Sequence, residues 1–201
     1  MSLDWSVPSI CMIFCAQELS EIMSLLTPEA LSALARPIRL AIFDVDGVMT
    51  DGSLTFDSDG RDLKTFHVRD GQGLKLLQSA GIELAIVTGR NSPIVTARAL
   101  ELGIRHVVQG SNEKLTSCQT LLDQLGLDWK QCAFMGDDLP DLPVLRQCGL
   151  ALTVPEAPAL IRNQAHWISP VGGGKGAVRC AAEMILDARG QWHEVTQKWL
   201  G

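Results

Sequence analysis

From residue 40 onward, short apolar runs alternate with longer segments that open on Ser, Thr or Pro and close on Gly. Such alternation is the mark of a parallel β-sheet with helices on both faces, and it leaves few other folds open. All strands of that sheet point one way. Residues at their carboxyl ends therefore share one crevice, which is where open α/β sheets bind ligands. The candidate strands are Leu40–Phe43, 82–87, 105–108, Cys132–Met135 and 150–154, with Trp167–Ile168 as an edge strand.

The helices between them carry their own punctuation. Thr27 and Pro28 read as N-cap and first helical residue, Asp70 as the N-cap of a helix that stops at Gly81, and Ser92-Pro93 as the start of one that stops at Gly103. A further helix carries Lys114. The closing helix, 176–188, is expected to turn Ala177, Cys180, Ala181, Met184 and Ile185 inward. One stretch breaks the alternation: Leu54-Thr55-Phe56 and Leu63-Lys64-Thr65-Phe66 flank Asp57-Ser58-Asp59-Gly60, which reads as a β-hairpin. Phe56 and Phe66 are expected to pack there or to meet another subunit.

A chain of 201 residues, 46% of them hydrophobic, can bury one substantial core. Residues 23–190 are taken as that domain, 1–22 as an N-terminal extension with Met23 a second candidate start, and 191–201 as a C-terminal tail. The net charge of −6 argues against a nucleic-acid or anionic-membrane surface. No apolar run reaches the roughly 18 residues of a membrane span. The apolar run 7–16 follows Asp4 with no Lys or Arg before it, which is unlike a secretory signal. Six cysteines without Cys-x-x-Cys spacing point to a reducing compartment and no zinc.

The chemistry-bearing residues sit where the strands end. Leu40–Phe43 delivers Asp44 and Asp46, which would face opposite ways in a regular strand and converge only if the chain unwinds. Gly47 allows that turn. A polar turn would explain these two acids alone, as a cap or a solvated helix position would explain any one of Thr88, Lys114, Asp137 and Asp141. Their recurrence at successive strand ends is harder to dismiss. Two glycine-rich stretches fail as nucleotide motifs: Leu76 stands where Gly71-Gln72-Gly73 would need a glycine, and Gly172-Gly173-Gly174-Lys175 lacks the phosphate-loop spacing.

The succession Asp44-Val45-Asp46-Gly47-Val48, Thr88, Lys114 and Gly136-Asp137-Asp138-Leu139-Pro140-Asp141 resembles the four motifs of the haloacid dehalogenase-like phosphatases. That resemblance implies an Mg²⁺-dependent phosphomonoesterase. Asp44 would be the nucleophile, forming an aspartyl-phosphate, and Asp46 the acid and then the base. Thr88 would hold a phosphoryl oxygen and Lys114 would offset charge. For the metal it implies carboxylates from Asp44 and Asp137, a backbone carbonyl from Asp46, and an indirect or water-mediated contact from Asp138 or Asp141.

Members acting on small molecules usually carry a cap domain, and neither gap between motifs has room for one. The chain is similar, more narrowly, to the cap-less phosphatases of 3-deoxy-D-manno-octulosonate (KDO) 8-phosphate, through residues 43–52, Phe66-His67-Val68-Arg69-Asp70-Gly71-Gln72-Gly73, Thr88-Gly89-Arg90 and 172–179. This implies a homotetramer built through the hairpins, in the cytoplasm of a bacterium making lipopolysaccharide. It also implies substrate contacts from Asp46, His67, Val68, Arg69, Asp70, Gly71, Lys75, Arg90, Arg98 and Lys114, and a tail that closes over a neighbour's site, with Gly172 to Gly176 supplying the flexibility. Cys180 stands where that family often has Glu. Two rival readings stay open: the same chemistry on another acidic sugar phosphate, such as a nononate 9-phosphate, or a non-catalytic oligomerisation module.

Overall fold

The computed structural model describes residues 26–199. Its elements in chain order are α1 Pro28–Ala35, β1 Leu40–Phe43, β2 Thr55–Phe56, β3 Asp62–Leu63, α2 Val68–Ser79, β4 Glu83–Val87, α3 Pro93–Leu102, β5 His106–Val108 and α4 Lys114–Leu125. There follow β6 Cys132–Met135, α5 Leu142–Leu145, β7 Leu150–Thr153, α6 Ala159–Arg162, β8 Trp167–Ile168, α7 Ala177–Ala188 and α8 Trp192–Thr196. The expected extension 1–22 and its Cys11 and Cys15 lie outside the described residues.

Six strands form one sheet in the order β5-β4-β1-β6-β7-β8, every pairing parallel. The chain builds outward from β1 through β4 to β5, then crosses back to β6 and builds the other way. The order reverses at β1, so the crevice at its carboxyl end is the topological switch point. β1, β6 and β7 are buried along their whole length, as their apolar runs require, and the one polar residue among them, Thr153, donates its hydroxyl to Gly136 O at 2.7 Å. Between β1 and β4 lie only the β2–β3 hairpin and α2. No cap domain occurs among the described residues, and the parallel sheet with helices on both faces and a hairpin after its first strand, as expected from the sequence, is the fold observed.

Several local expectations need correction. The second hairpin strand is Asp62–Leu63, shifted from the expected 63–66, because a turn at 57–61 closes earlier through the Asp57 carboxylate, which accepts from the Asp59 and Arg61 amides. Phe66 packs on the core while Phe56 is 53% exposed. Asp70 is not the N-cap of α2. His67 holds that position, and the buried Asp70 Oδ1 instead accepts from the Arg179 amide of α7 at 2.7 Å.

The buried face of α7 is Ala177, Val178, Ala181, Ala182, Ile185 and Leu186, rotated from the one expected; Cys180 and Met184 are half-buried. That face meets α2, where Gly73 lets the helices close: a Cβ there would lie 3.0 Å from Arg179 Cα. Residues 172–176 are not a free segment either. The Gly174 amide donates to Val48 O at 3.0 Å, and a Cβ on Gly173 would stand 1.9 Å from Gly47 O. These glycines serve close backbone packing within the chain. Cys118, Cys132, Cys148 and Cys180 are free thiols; burial pushes Cys118 and Cys148 up to about 12, so neither supplies a thiolate.

Candidate active site

The loop after β1 is a tight coil that starts from the strand's last hydrogen bond, Asp44 N to Met135 O at 3.0 Å. The Val45 carbonyl accepts from the amides of Val48, Met49 and Thr50, which winds the chain back on itself. Gly47 takes φ +88°, a conformation L side chains rarely adopt, and a Cβ there would sit 2.0 Å from Asp137 Oδ2. The glycine therefore does two things. It unwinds the strand so that Asp44 and Asp46 reach one cavity, and it leaves the space that Asp137 fills from the end of β6.

That cavity, about 380 Å³, is lined by Asp44, Asp46, Gly52, Leu54, Thr88, Gly89, Arg90, Lys114, Asp137, Asp138, Pro140 and Asp141. Thr88 arrives from the end of β4, buried, with its amide tied to Val108 O at 2.9 Å. Lys114 opens α4 and reaches in to contact Asp44 Oδ2 at 2.7 Å and Asp141 Oδ1 at 2.6 Å. Asp141 is fully buried; its second oxygen accepts from the amides of Asp137 and Asp138 at 3.0 and 3.2 Å. This pins the turn after β6.

Carboxylate oxygens from Asp44, Asp137 and Asp141 all lie within 4.8 Å of one another. Three acids face one lysine, so the cluster carries an excess of negative charge. Burial, then the Asp141 charge, raises Asp44 to about 6 against the pull of Lys114; burial, then Asp44 and Asp141, raises Asp137 to about 7. Burial alone would lower Lys114, but the Asp44 and Asp141 carboxylates outweigh it and hold the ammonium above its usual range. A hard-oxygen donor set with surplus negative charge fits a divalent cation such as Mg²⁺.

Asp44 and Asp137 are the carboxylates expected at the metal, and Asp141 and Asp138, expected as indirect contacts, stand differently toward them. Asp141 shares the cluster, whereas Asp138 is exposed and its Oδ1 accepts from the Leu139 amide at 2.8 Å. Of the expected substrate contacts, Asp46, Arg90 and Lys114 line the cavity; His67, Val68, Arg69, Asp70, Gly71, Lys75 and Arg98 do not. Val68, Arg69 and Lys75 are exposed on α2. Arg98 lies 5.7 Å over the Phe66 ring and pairs with Glu101 at 2.8 Å, while a Cβ on Gly71 would meet Arg98 Nη2.

One residue at this site escaped the sequence reading. Lys64, just past β3, contacts Asp46 Oδ1, and its side chain is only 3% exposed. Period-two alternation, with Leu63 facing out and Lys64 in, was the signal available.

Comparison with known proteins gives the family. A family model for haloacid dehalogenase-like hydrolases matches residues 64–149. The Haemophilus influenzae 3-deoxy-D-manno-octulosonate 8-phosphate phosphatase KdsC is 44% identical over 77% of this chain and 86% of that protein. The Escherichia coli K12 KdsC is 41% identical over 81% of this chain and 86% of its own length. Among solved structures, the Moraxella catarrhalis 3-deoxy-D-manno-octulosonate 8-phosphate phosphatase, in complex with magnesium, phosphate and KDO, superimposes with a TM-score of 0.83. It is 41% identical and covers 84% of this chain and 97% of its own. With this identity across most of both chains, the protein belongs to the 3-deoxy-D-manno-octulosonate 8-phosphate phosphatase family of haloacid dehalogenase-like hydrolases.

Proposed function

We infer that this chain is an Mg²⁺-dependent phosphatase that hydrolyses KDO 8-phosphate to KDO and inorganic phosphate, a step in lipopolysaccharide synthesis. The observation that carries the reading is the convergence of Asp44, Asp46, Thr88, Lys114, Asp137 and Asp141 on one cavity at the switch point. The substrate follows from the relatives named above. Asp44 and Asp137, with the Asp46 backbone carbonyl, would hold the metal; Asp141, whose oxygens are engaged by Lys114 and the Asp137 and Asp138 amides, would steady the cluster, and Asp138 would lie at its margin. Bound Mg²⁺ supplies positive charge that lets a carboxylate approach a phosphate dianion.

Asp44 attacks phosphorus to give an aspartyl-phosphate, and the P–O bond to the sugar breaks. Asp46 gives its proton to the leaving alkoxide, then takes one from the water that hydrolyses the intermediate. The Thr88 hydroxyl donates to a phosphoryl oxygen, and the Lys114 ammonium holds Asp44 in line while offsetting charge on the phosphate. Arg90, at the rim, suits the sugar carboxylate. We assign His67, Val68, Arg69 and Lys75 to the sugar-acid end of the substrate, some of them contributed from an adjacent subunit, with the buried Asp70 and Gly71 and the Glu101-paired Arg98 holding that segment in place. Exposed Leu54, Phe56 and Leu63 on the hairpin support a tetramer joined there. The cytoplasm is the compartment in which such a substrate would be met.

The test is phosphate release with Mg²⁺ from KDO 8-phosphate, the nononate 9-phosphate and common hexose phosphates, with Asp44→Asn as control. Preference for KDO 8-phosphate that vanishes in the variant supports the reading. Preference for another sugar acid keeps the chemistry and changes the substrate; no release from any ester favours the non-catalytic module.

A further inference from the structure

Asp46 must do its work with one oxygen free. Its two oxygens have different neighbours: Oδ1 contacts the Lys64 ammonium, while Oδ2 faces Arg90 Nε at 3.8 Å on the cavity side. Lys64 is the more enclosed of the two cations, with 3% of its side chain exposed against 43% for Arg90. A lysine taken out of water to that extent needs a charge partner, and the Asp46 carboxylate is the partner it has. The chain reaches this arrangement through the hairpin. Leu63 faces solvent at the end of β3, and the next residue turns inward to the loop made by Gly47.

We propose that Lys64 is a positioning residue for the Asp46 acid and base. It anchors Oδ1, so that the carboxyl group presents Oδ2 to the leaving oxygen, and it holds the charge left on Asp46 once the proton has gone. The hairpin is then part of the catalytic apparatus as well as a surface. The inference rests on the assignment of Asp46 in the proposed function.

A merely structural lysine and a positioning one are separated by the leaving group. Proton donation matters for an alkyl ester, whose alkoxide is a poor leaving group, and matters little for p-nitrophenyl phosphate, whose phenolate departs unprotonated. General acid catalysis typically contributes 10²–10⁴-fold. In Lys64→Met, kcat is expected to fall at least about 30-fold more on KDO 8-phosphate than on p-nitrophenyl phosphate, with KM little changed. Lys64→Arg, which keeps the charge, should recover at least about 10-fold of the loss on the alkyl ester. It also carries the test if the Met variant does not fold.

An equal loss on both esters, or no loss on either, overturns the assignment of Lys64 while leaving the phosphatase reading intact. A loss confined to KM overturns it too, because it would make Lys64 a substrate contact. A wild-type protein inactive on both esters removes the functional reading and this one with it.

Discussion

The strand-end cluster and the hairpin meet at Asp46, and they are built on opposite principles. Asp44 and Thr88 are buried at the ends of strands paired on both sides, and Lys114 and Asp141 are buried beside them at the start of α4 and in the turn after β6, so their positions are set by the core. The hairpin has two residues in each strand and leaves Leu54, Phe56 and Leu63 more than half exposed. An isolated two-stranded ribbon of that size is marginal in water. The cluster can hold its geometry in one chain. The hairpin calls for something to pack against, and it carries Lys64, so a surface that is incomplete alone supports an active-site carboxylate.

The largest expected effect breaks the cluster at its centre. Asp44→Asn should lower turnover at least about 10⁴-fold, read by phosphate release, because the amide cannot serve as nucleophile. Gly47→Ala attacks the same geometry through the backbone. The new Cβ would overlap Asp137 Oδ2, and the residue would be strained at φ +88°. An activity loss of about 10²-fold with weaker Mg²⁺ binding is expected, and titration calorimetry would read the latter. An unchanged affinity would show that Asp137 does not hold the ion.

Stability should separate core from hairpin. Phe134 is fully buried on β6, and Phe134→Ala should cost about 3–5 kcal/mol by urea unfolding. Phe56→Ala should cost about 0.5 kcal/mol or less within a single chain. In ultracentrifugation, however, exchanging Leu54, Phe56 and Leu63 together for Ser should shift the proposed tetramer toward monomer. A tetramer that survives would move the subunit contact elsewhere.

Proton linkage gives the smallest and most diagnostic effect. Folding raises Asp44 to about 6 and Asp137 to about 7 from ordinary values near 3.8. In the metal-free protein their contribution to stability is fully present below pH about 4 and is lost as pH rises through 6 and 7. Mg²⁺ binds the deprotonated acids, so its stabilisation should grow over that same window. At a hundredfold excess over Kd it would reach about 2.7 kcal/mol. A thermal shift on adding Mg²⁺ should therefore be larger at pH 8 than at pH 5.5; equal shifts would place the ion away from these two acids.

Helix starts at Thr27-Pro28 and Ser92-Pro93, the stops at Gly81 and Gly103, and the strands Leu40–Phe43 and Cys132–Met135 were legible in the chain itself. They depend on local sterics, capping and apolar runs, which a linear reading can see. The same holds for the acids at the strand ends, because a parallel sheet gathers those ends whatever its other details. The order of the strands, the pairing of Asp70 with the Arg179 amide, the buried face of α7 and the docking of Gly173 on Gly47 came only from the tertiary structure. Each joins residues remote in sequence, and packing outweighed the local preference: Asp70 reads as a helix cap until a second helix takes its oxygen. Lys64 lies between the two cases. Its inward turn is written in the pleat of the hairpin, but its partner is known only once the hairpin is folded against the Asp46 loop.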